Sequence, residues 1–376
     1  MRTTVDALAA AVEAADRPTF SRLVSDRDPT FASRARLLYT NLTGLPLTEL
    51  RMWPERGERP LSPARQQVLG ADAWVQPVVV SWRLAGDADA AQHRVWLTFV
   101  ADGGAARLAG TFDGPVPSSA EPQPSWWLGP VTARQQGLVT VVTGAGQPAD
   151  RWDRLVADAA AAVGRGLPAG VADGWSGRVV VEVPATARDF AAVLGQPADA
   201  YTGIAAVAYQ VGVGDRPPLR VVVNPRARSQ VTQPQLAEIL RHEIVHLATR
   251  SPESRAPLWA VEGLAEWVAV GEGPGRASSG TADLMAVVRR NGPPPSLPAD
   301  ADFEVGSTNL NRAYAVAWLA CTYIAEQYSA ARLGRFYVQL DRGRSADEAS
   351  RAVLGLGVSE LTAGWRRFLV QRARSG

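Results

Sequence analysis

The sequence predicts an α+β protein built from two domains. Three observations lead there. At 376 residues the chain exceeds what one ordinary core supports. Its first third passes from helix-period to strand-period patterning, with a second strand-and-helix region behind it. From Thr232 onward the pattern is helical to the end. An apolar content of 46% with 20% charged residues belongs to folded globular chains.

The elements follow in order. Residues 3–43 read as two or three helices, because Val5, Leu8, Val12, then Phe20, Leu23, then Phe31, Leu37 and Leu38 recur near helical spacing. After Gly44-Leu45-Pro46 the stretches 73–84, 92–101 and 105–113 alternate as strands, with turns such as Asp102-Gly103-Gly104 between them. Helices followed by an antiparallel meander make residues 1–114 a small α+β domain. Residues 115–130 carry five Pro and read as a linker, with Trp126 and Trp127 anchoring it on a core. Residues 131–376 form the next domain: a strand at 138–143, a helix at 149–163, a strand at 178–183, a helix from near Ala185, strands at 204–212 and 219–224, then helices broken at 271–276, 291–302 and near Gly343.

Composition removes several function classes. All 39 basic residues are Arg, which excludes Schiff-base and phosphate-loop lysine chemistry. Net charge is +2 with both signs interspersed, which argues against a nucleic-acid partner. The single cysteine, Cys321, lies in an apolar helical stretch and can form neither an internal disulfide nor a thiolate cluster. No apolar run is long enough for a transmembrane segment. Acidic Asp6, Glu13 and Asp16 within the first apolar stretch argue against an uncleaved signal peptide, so the chain is expected to be cytoplasmic or to have lost an export leader. Oligomeric state is open.

The chemistry concentrates in His242-Glu243-Ile244-Val245-His246. Thr232 can cap this helix, Gln235 completes a capping box, and Pro234 is tolerated in the first turn. At about 100° per residue His242 and His246 stand about 40° apart, so both imidazoles reach one Zn²⁺. Glu243 stands beside that edge, where a general base takes a proton from water. A chance match to this motif in a chain with three His is on the order of one in a thousand. Two histidines do not complete a catalytic zinc site. His93 lies far upstream and reads as structural. The next helix, Pro257-Leu258-Trp259-Ala260-Val261-Glu262-Gly263-Leu264-Ala265-Glu266-Trp267, offers Glu262 and Glu266 one turn apart. One can bind metal while the other holds a ligand histidine.

HEIVH followed by W-x-x-E-G-L-A-E resembles the gluzincin zinc metallopeptidases, the thermolysin and aminopeptidase N superfamily, and within it the peptidase MA-like proteins. The resemblance covers about residues 131–376 and implies a two-lobed domain, a mixed sheet lobe and a helical lobe. It makes Glu262 the third ligand beside His242 and His246, and Glu266 the residue supporting a ligand histidine. The 16-residue gap from His246 to Glu262 is shorter than usual in the family, so Glu266 stays a rival ligand. It also implies Tyr314, at the start of a long apolar helix, as a donor to the tetrahedral intermediate, with Arg312 the next candidate. An edge strand near Gly203, Ile204, Ala205 and Ala206 would bind extended substrate. Residues 1–114 resemble an NTF2-like cone in element order. The implied function is zinc-dependent hydrolysis of peptide bonds in a peptide or protein, in an extracytoplasmic setting with the leader absent, cytoplasm being the alternative. Two other readings stand beside it: a zinc-stabilised binding or scaffold module with little turnover, and a hydrolase of a non-peptide bond.

Overall fold

The computed structural model describes residues 1–375 except 116–120, 198–199, 201–202, 215, 227–229, 272–275 and 305. It is a mixed α+β protein with two sheets and many helices. The chain divides into two compact units: Met1–Ala157 with Arg178–Val231, and Asp158–Gly177 with Thr232–Gly376.

The first unit opens with α1 (Arg2–Glu13), α2 (Arg17–Arg22) and α3 (Phe31–Gly44), followed by β1 (Leu47–Pro54), β2 (Arg59–Pro60), α4 (Pro63–Leu69), β3 (Ala73–Leu84), β4 (Ala91–Asp102) and β5 (Ala105–Gly110). The strands form an antiparallel sheet in the order β1-β3-β4-β5, with β2 paired to β3. The strand expected over 105–113 ends at Gly110 because the next segment turns away. There Asp113 accepts from Thr98 Oγ1 at 2.6 Å and from Arg65 Nε at 2.6 Å. The strands β1 and β2 and the helix α4 go beyond the sequence expectation. The burial pattern of β1 lacks clean alternation, so its pairing with β3, not periodicity, makes it a strand.

After a short turn of helix, α5 (Ser125–Leu128), the second sheet comprises β6 (Val131–Gln136), β7 (Val139–Gly144), β8 (Val179–Val183), β9 (Ala206–Gln210) and β10 (Leu219–Val223), with α6 (Ala149–Gly166) and α7 (Ala187–Val193) between strands. Its order is β6-β7-β8-β10-β9; β7, β8 and β10 run parallel and the two outer strands antiparallel. One apolar core joins the two sheets of this unit: Trp82, Leu97 and Phe99 from the first pack in the same cluster as Val142, Val180 and Val211. The described part of the proline-rich stretch, 115 and 121–130, falls in the first unit, and Trp126 meets Trp82 edge to face at 6.0 Å. Arg220 is wholly buried between Asp87 and Glu182 and lies over the Trp82 ring at 4.2 Å. His93 accepts from Trp82 Nε1 at 3.2 Å, and burial with Arg220 nearby pushes its pKa down to about 3.

The second unit is helical beyond Thr232: α8 (Gln233–Thr249), α9 (Leu258–Val270), α10 (Thr281–Asn291), α11 (Leu310–Tyr328), α12 (Ala330–Asp341), α13 (Ala346–Leu354) and α14 (Val358–Ser375). The capping box forms as expected, with Gln235 N donating to Thr232 Oγ1 and Thr232 N to Gln235 Oε1. The helix α9 is apolar almost all round and packs against α8 and α11. Gly263 makes that possible: a Cβ there would stand 2.6 Å from the Ala317 carbonyl and 2.8 Å from Cys321 Sγ. Cys321 is buried, as its apolar setting implied. No described helix is long and apolar enough to cross a membrane.

Candidate metal centre

Three donor atoms converge where α8 faces α9. His242 Nε2 and His246 Nε2 stand 2.9 Å apart, and Glu262 Oε2 lies 3.1 Å from the first and 3.2 Å from the second. The spacing follows from the helices. His242 and His246 are one turn apart on the buried edge of α8, and α9 brings Glu262 opposite them through the glycine contact with α11.

Three mutual contacts of this length cannot all be hydrogen bonds. If both nitrogens donate to Glu262, two N–H groups face each other at 2.9 Å; if one lacks its proton, one of the contacts has no donor. A cation shared by the three atoms would resolve the conflict. Tetrahedral ligands at about 2.0–2.1 Å from a zinc ion stand about 3.3–3.4 Å apart, so this donor triangle is only a few tenths of an ångström tight. Two imidazoles and a carboxylate are also a donor set that such an ion accepts, and they are the one group of this kind found among the described residues.

Glu266 occupies a different place. Its Oε2 lies 3.0 Å from His242 Nδ1, and its Oε1 accepts from the Ser278 hydroxyl. A proton on His242 Nδ1 leaves the Nε2 lone pair directed at the donor triangle, the usual arrangement behind a ligand histidine. Geometry therefore separates the two glutamates: Glu262 touches both Nε2 atoms, and Glu266 supports one ring from behind. Ser278 is absent from the sequence-based set. It lies in Ala277-Ser278-Ser279-Gly280, which reads as plain loop and carries no signal of its role.

Burial would push the Glu262 carboxyl up, but the adjacent His246 and His242 rings hold it well below the usual carboxylate range. Burial likewise opposes the charged form of His242, and its contacts with Glu262 and Glu266 outweigh this and push its pKa up. Glu243 is half-buried, and its charge acts on both His242 and Tyr314. The Tyr314 ring stands 5.8 Å from that of His242 and 5.5 Å from Phe303. Burial and the surrounding carboxylates push its hydroxyl far up, so it stays protonated and able to donate. Arg312 is exposed.

The remaining candidates lie in the first unit. The expected strand over 204–212 is shorter than its pattern suggests. Gly203, Ile204 and Ala205 precede β9, and Ala206 is its first residue. The carbonyls of Ile204 and Ala205 accept from Asn224 Nδ2 at 3.0 Å and Asn224 N at 2.8 Å, so the ladder begins only at Ala206. β9 is the outermost strand of its sheet, as expected of that segment. Tyr201 and Thr202, next to it, lie outside the described residues.

No family model matches the chain, and no curated protein matches its sequence.

Proposed function

We propose that this chain is a zinc-dependent metallopeptidase of the gluzincin type. The observation that carries the reading is the buried triangle of His242, His246 and Glu262, with Glu243 on the same helix and the protonated Tyr314 hydroxyl beside it. In this reading His242, His246 and Glu262 hold Zn²⁺, and Glu266 orients His242. When bound, zinc supplies Lewis acidity, polarising a carbonyl and making water a far stronger acid.

The chain's own groups do the rest. Glu243 accepts a proton from the attacking water as its oxygen bonds to the scissile carbonyl carbon. It returns that proton to the amide nitrogen as the C–N bond breaks, giving a carboxylic acid and an amine; the acid's proton then passes to the amine, leaving carboxylate and ammonium. Tyr314 donates to the oxygen on which charge builds. The antiparallel sheet behind three helices supports an NTF2-like reading of the N-terminal part. The mixed sheet of residues 131–223, followed by helices from Thr232, supports the gluzincin reading of the remainder.

Elemental analysis of purified protein tests the metal centre. The expected result is about one zinc per chain, lost in His242→Ala, His246→Ala and Glu262→Ala. Glu266→Ala should weaken affinity by only about 10–100-fold. Full zinc occupancy in either histidine variant would overturn the site, and a reversed order for the two glutamates would make Glu266 the ligand.

A further inference from the structure

We infer that Ser278 is a positioning residue that fixes which of the two glutamates of α9 faces the metal. This rests on the zinc reading of the same site. Glu266 divides its carboxylate oxygens between two partners, Oε2 on His242 Nδ1 at 3.0 Å and Oε1 on the Ser278 hydroxyl. Ser278 is 4% exposed, and among the described residues its hydroxyl has one other hydrogen bond, a long one of 3.4 Å to the Ser279 carbonyl.

A carboxylate held at one oxygen can still turn about its terminal torsion, which is broad and two-fold. Glu266 stands one helical turn from Glu262, so a freely turning carboxylate there competes for the cation and releases His242 as it does so. The Ser278 hydroxyl removes that freedom. With Oε1 held by Ser278, Oε2 stays aimed at His242 Nδ1–H, which leaves the His242 Nε2 lone pair for the metal. Ser278 is itself fixed. Its carbonyl accepts from Thr281 N at 3.2 Å, and Gly280, at φ +79°, approaches α11 so closely that a Cβ would meet the Asn311 carbonyl at 2.9 Å. The same helix carries Tyr314, so the turn that places Ser278 is braced on an element of the site.

The test is a double-mutant cycle read as zinc affinity, by competition with a metallochromic chelator, on wild type, Ser278→Ala, Glu266→Ala and the double variant. Ser278→Ala should weaken zinc about tenfold, the lower end of the roughly 10–100-fold range for partners behind a ligand. The metal-free melting temperature should stay unchanged. Ser278→Thr should restore affinity, and on the Glu266→Ala background Ser278→Ala should add nothing. Ser278→Val, the size of threonine without its hydroxyl, makes the same comparison with Ser278→Thr should the alanine variant fold poorly. Wild-type affinity in Ser278→Ala, or a loss that persists in full without Glu266, overturns the inference while leaving the zinc site standing. A wild-type chain that takes up no zinc defeats the site reading and this inference together.

Discussion

At the scale of single residues, the sequence pointed to the residues that converge more readily than to those that support them. The spacing of His242 and His246, with Glu243 between them, follows from helical periodicity alone, and their atoms meet as that periodicity requires. Which glutamate of α9 stands where did not follow, because Glu262 and Glu266 share one face of one helix and only the packing of α9 on α8 separates them. Ser278 was illegible for a related reason: its role depends on a neighbour twelve residues away, across the end of a helix. Tyr314 is the residue whose role most needs measurement. It lies against His242 with its hydroxyl protonated. Tyr314→Phe should lower kcat by about 10²–10³-fold with zinc content and Tm nearly unchanged, the cost of one oxyanion donor. A Phe variant that melts early yet turns over normally would make the tyrosine structural, and Arg312 the next donor to test.

At the scale of elements, strongly patterned segments were legible and weakly patterned ones were not. The capping box of α8 sits where Thr232 and Gln235 put it, since capping is a local interaction between residues three apart. β3 spans Ala73–Leu84 as its residues predict, being buried almost throughout. By contrast β6 is largely exposed along its length and exists because β7 pairs with it, a partnership that no local pattern carries. The close approach of α9 to α11 is the element contact on which the site depends most. Gly263→Ala would drive a methyl into the Ala317 carbonyl and Cys321 Sγ. It should cost about 1–3 kcal/mol, as overpacking does, and should weaken zinc binding by displacing Glu262. Denaturant unfolding and chelator competition on the same preparation check both, and a variant with wild-type values in each would show that α9 and α11 have room to spare.

At the scale of the whole molecule, composition and element order conveyed an α+β chain of more than one unit. The sharing of a core between the two sheets was not legible, because Trp82 and Val180 are nearly a hundred residues apart and neither pattern names its partner. That shared core also contains a pH-sensitive group. His93 must be neutral when folded, with a pKa near 3, whereas in the unfolded chain it takes up a proton near 6.5. The unfolded state therefore binds more protons below that value, and stability falls as pH drops from about 6.5 toward 3. The loss attributable to His93 is about 2 kcal/mol at pH 5. His93→Gln should flatten the slope of stability between pH 7 and pH 5, measured by urea unfolding, and an unchanged slope would mean that the imidazole charges without cost.

The proposed function has the chain hydrolyse peptide bonds with Glu243 as the base. The direct measurement is cleavage of a peptide library by the zinc-loaded chain beside its Glu243→Gln variant at equal zinc content. The amide keeps the shape of the side chain but cannot accept the proton, so the variant should retain zinc and lose about 10²–10⁴-fold in turnover. Zinc-loaded wild-type protein that cleaves nothing, or a Gln variant that cleaves at the wild-type rate, would contradict the account.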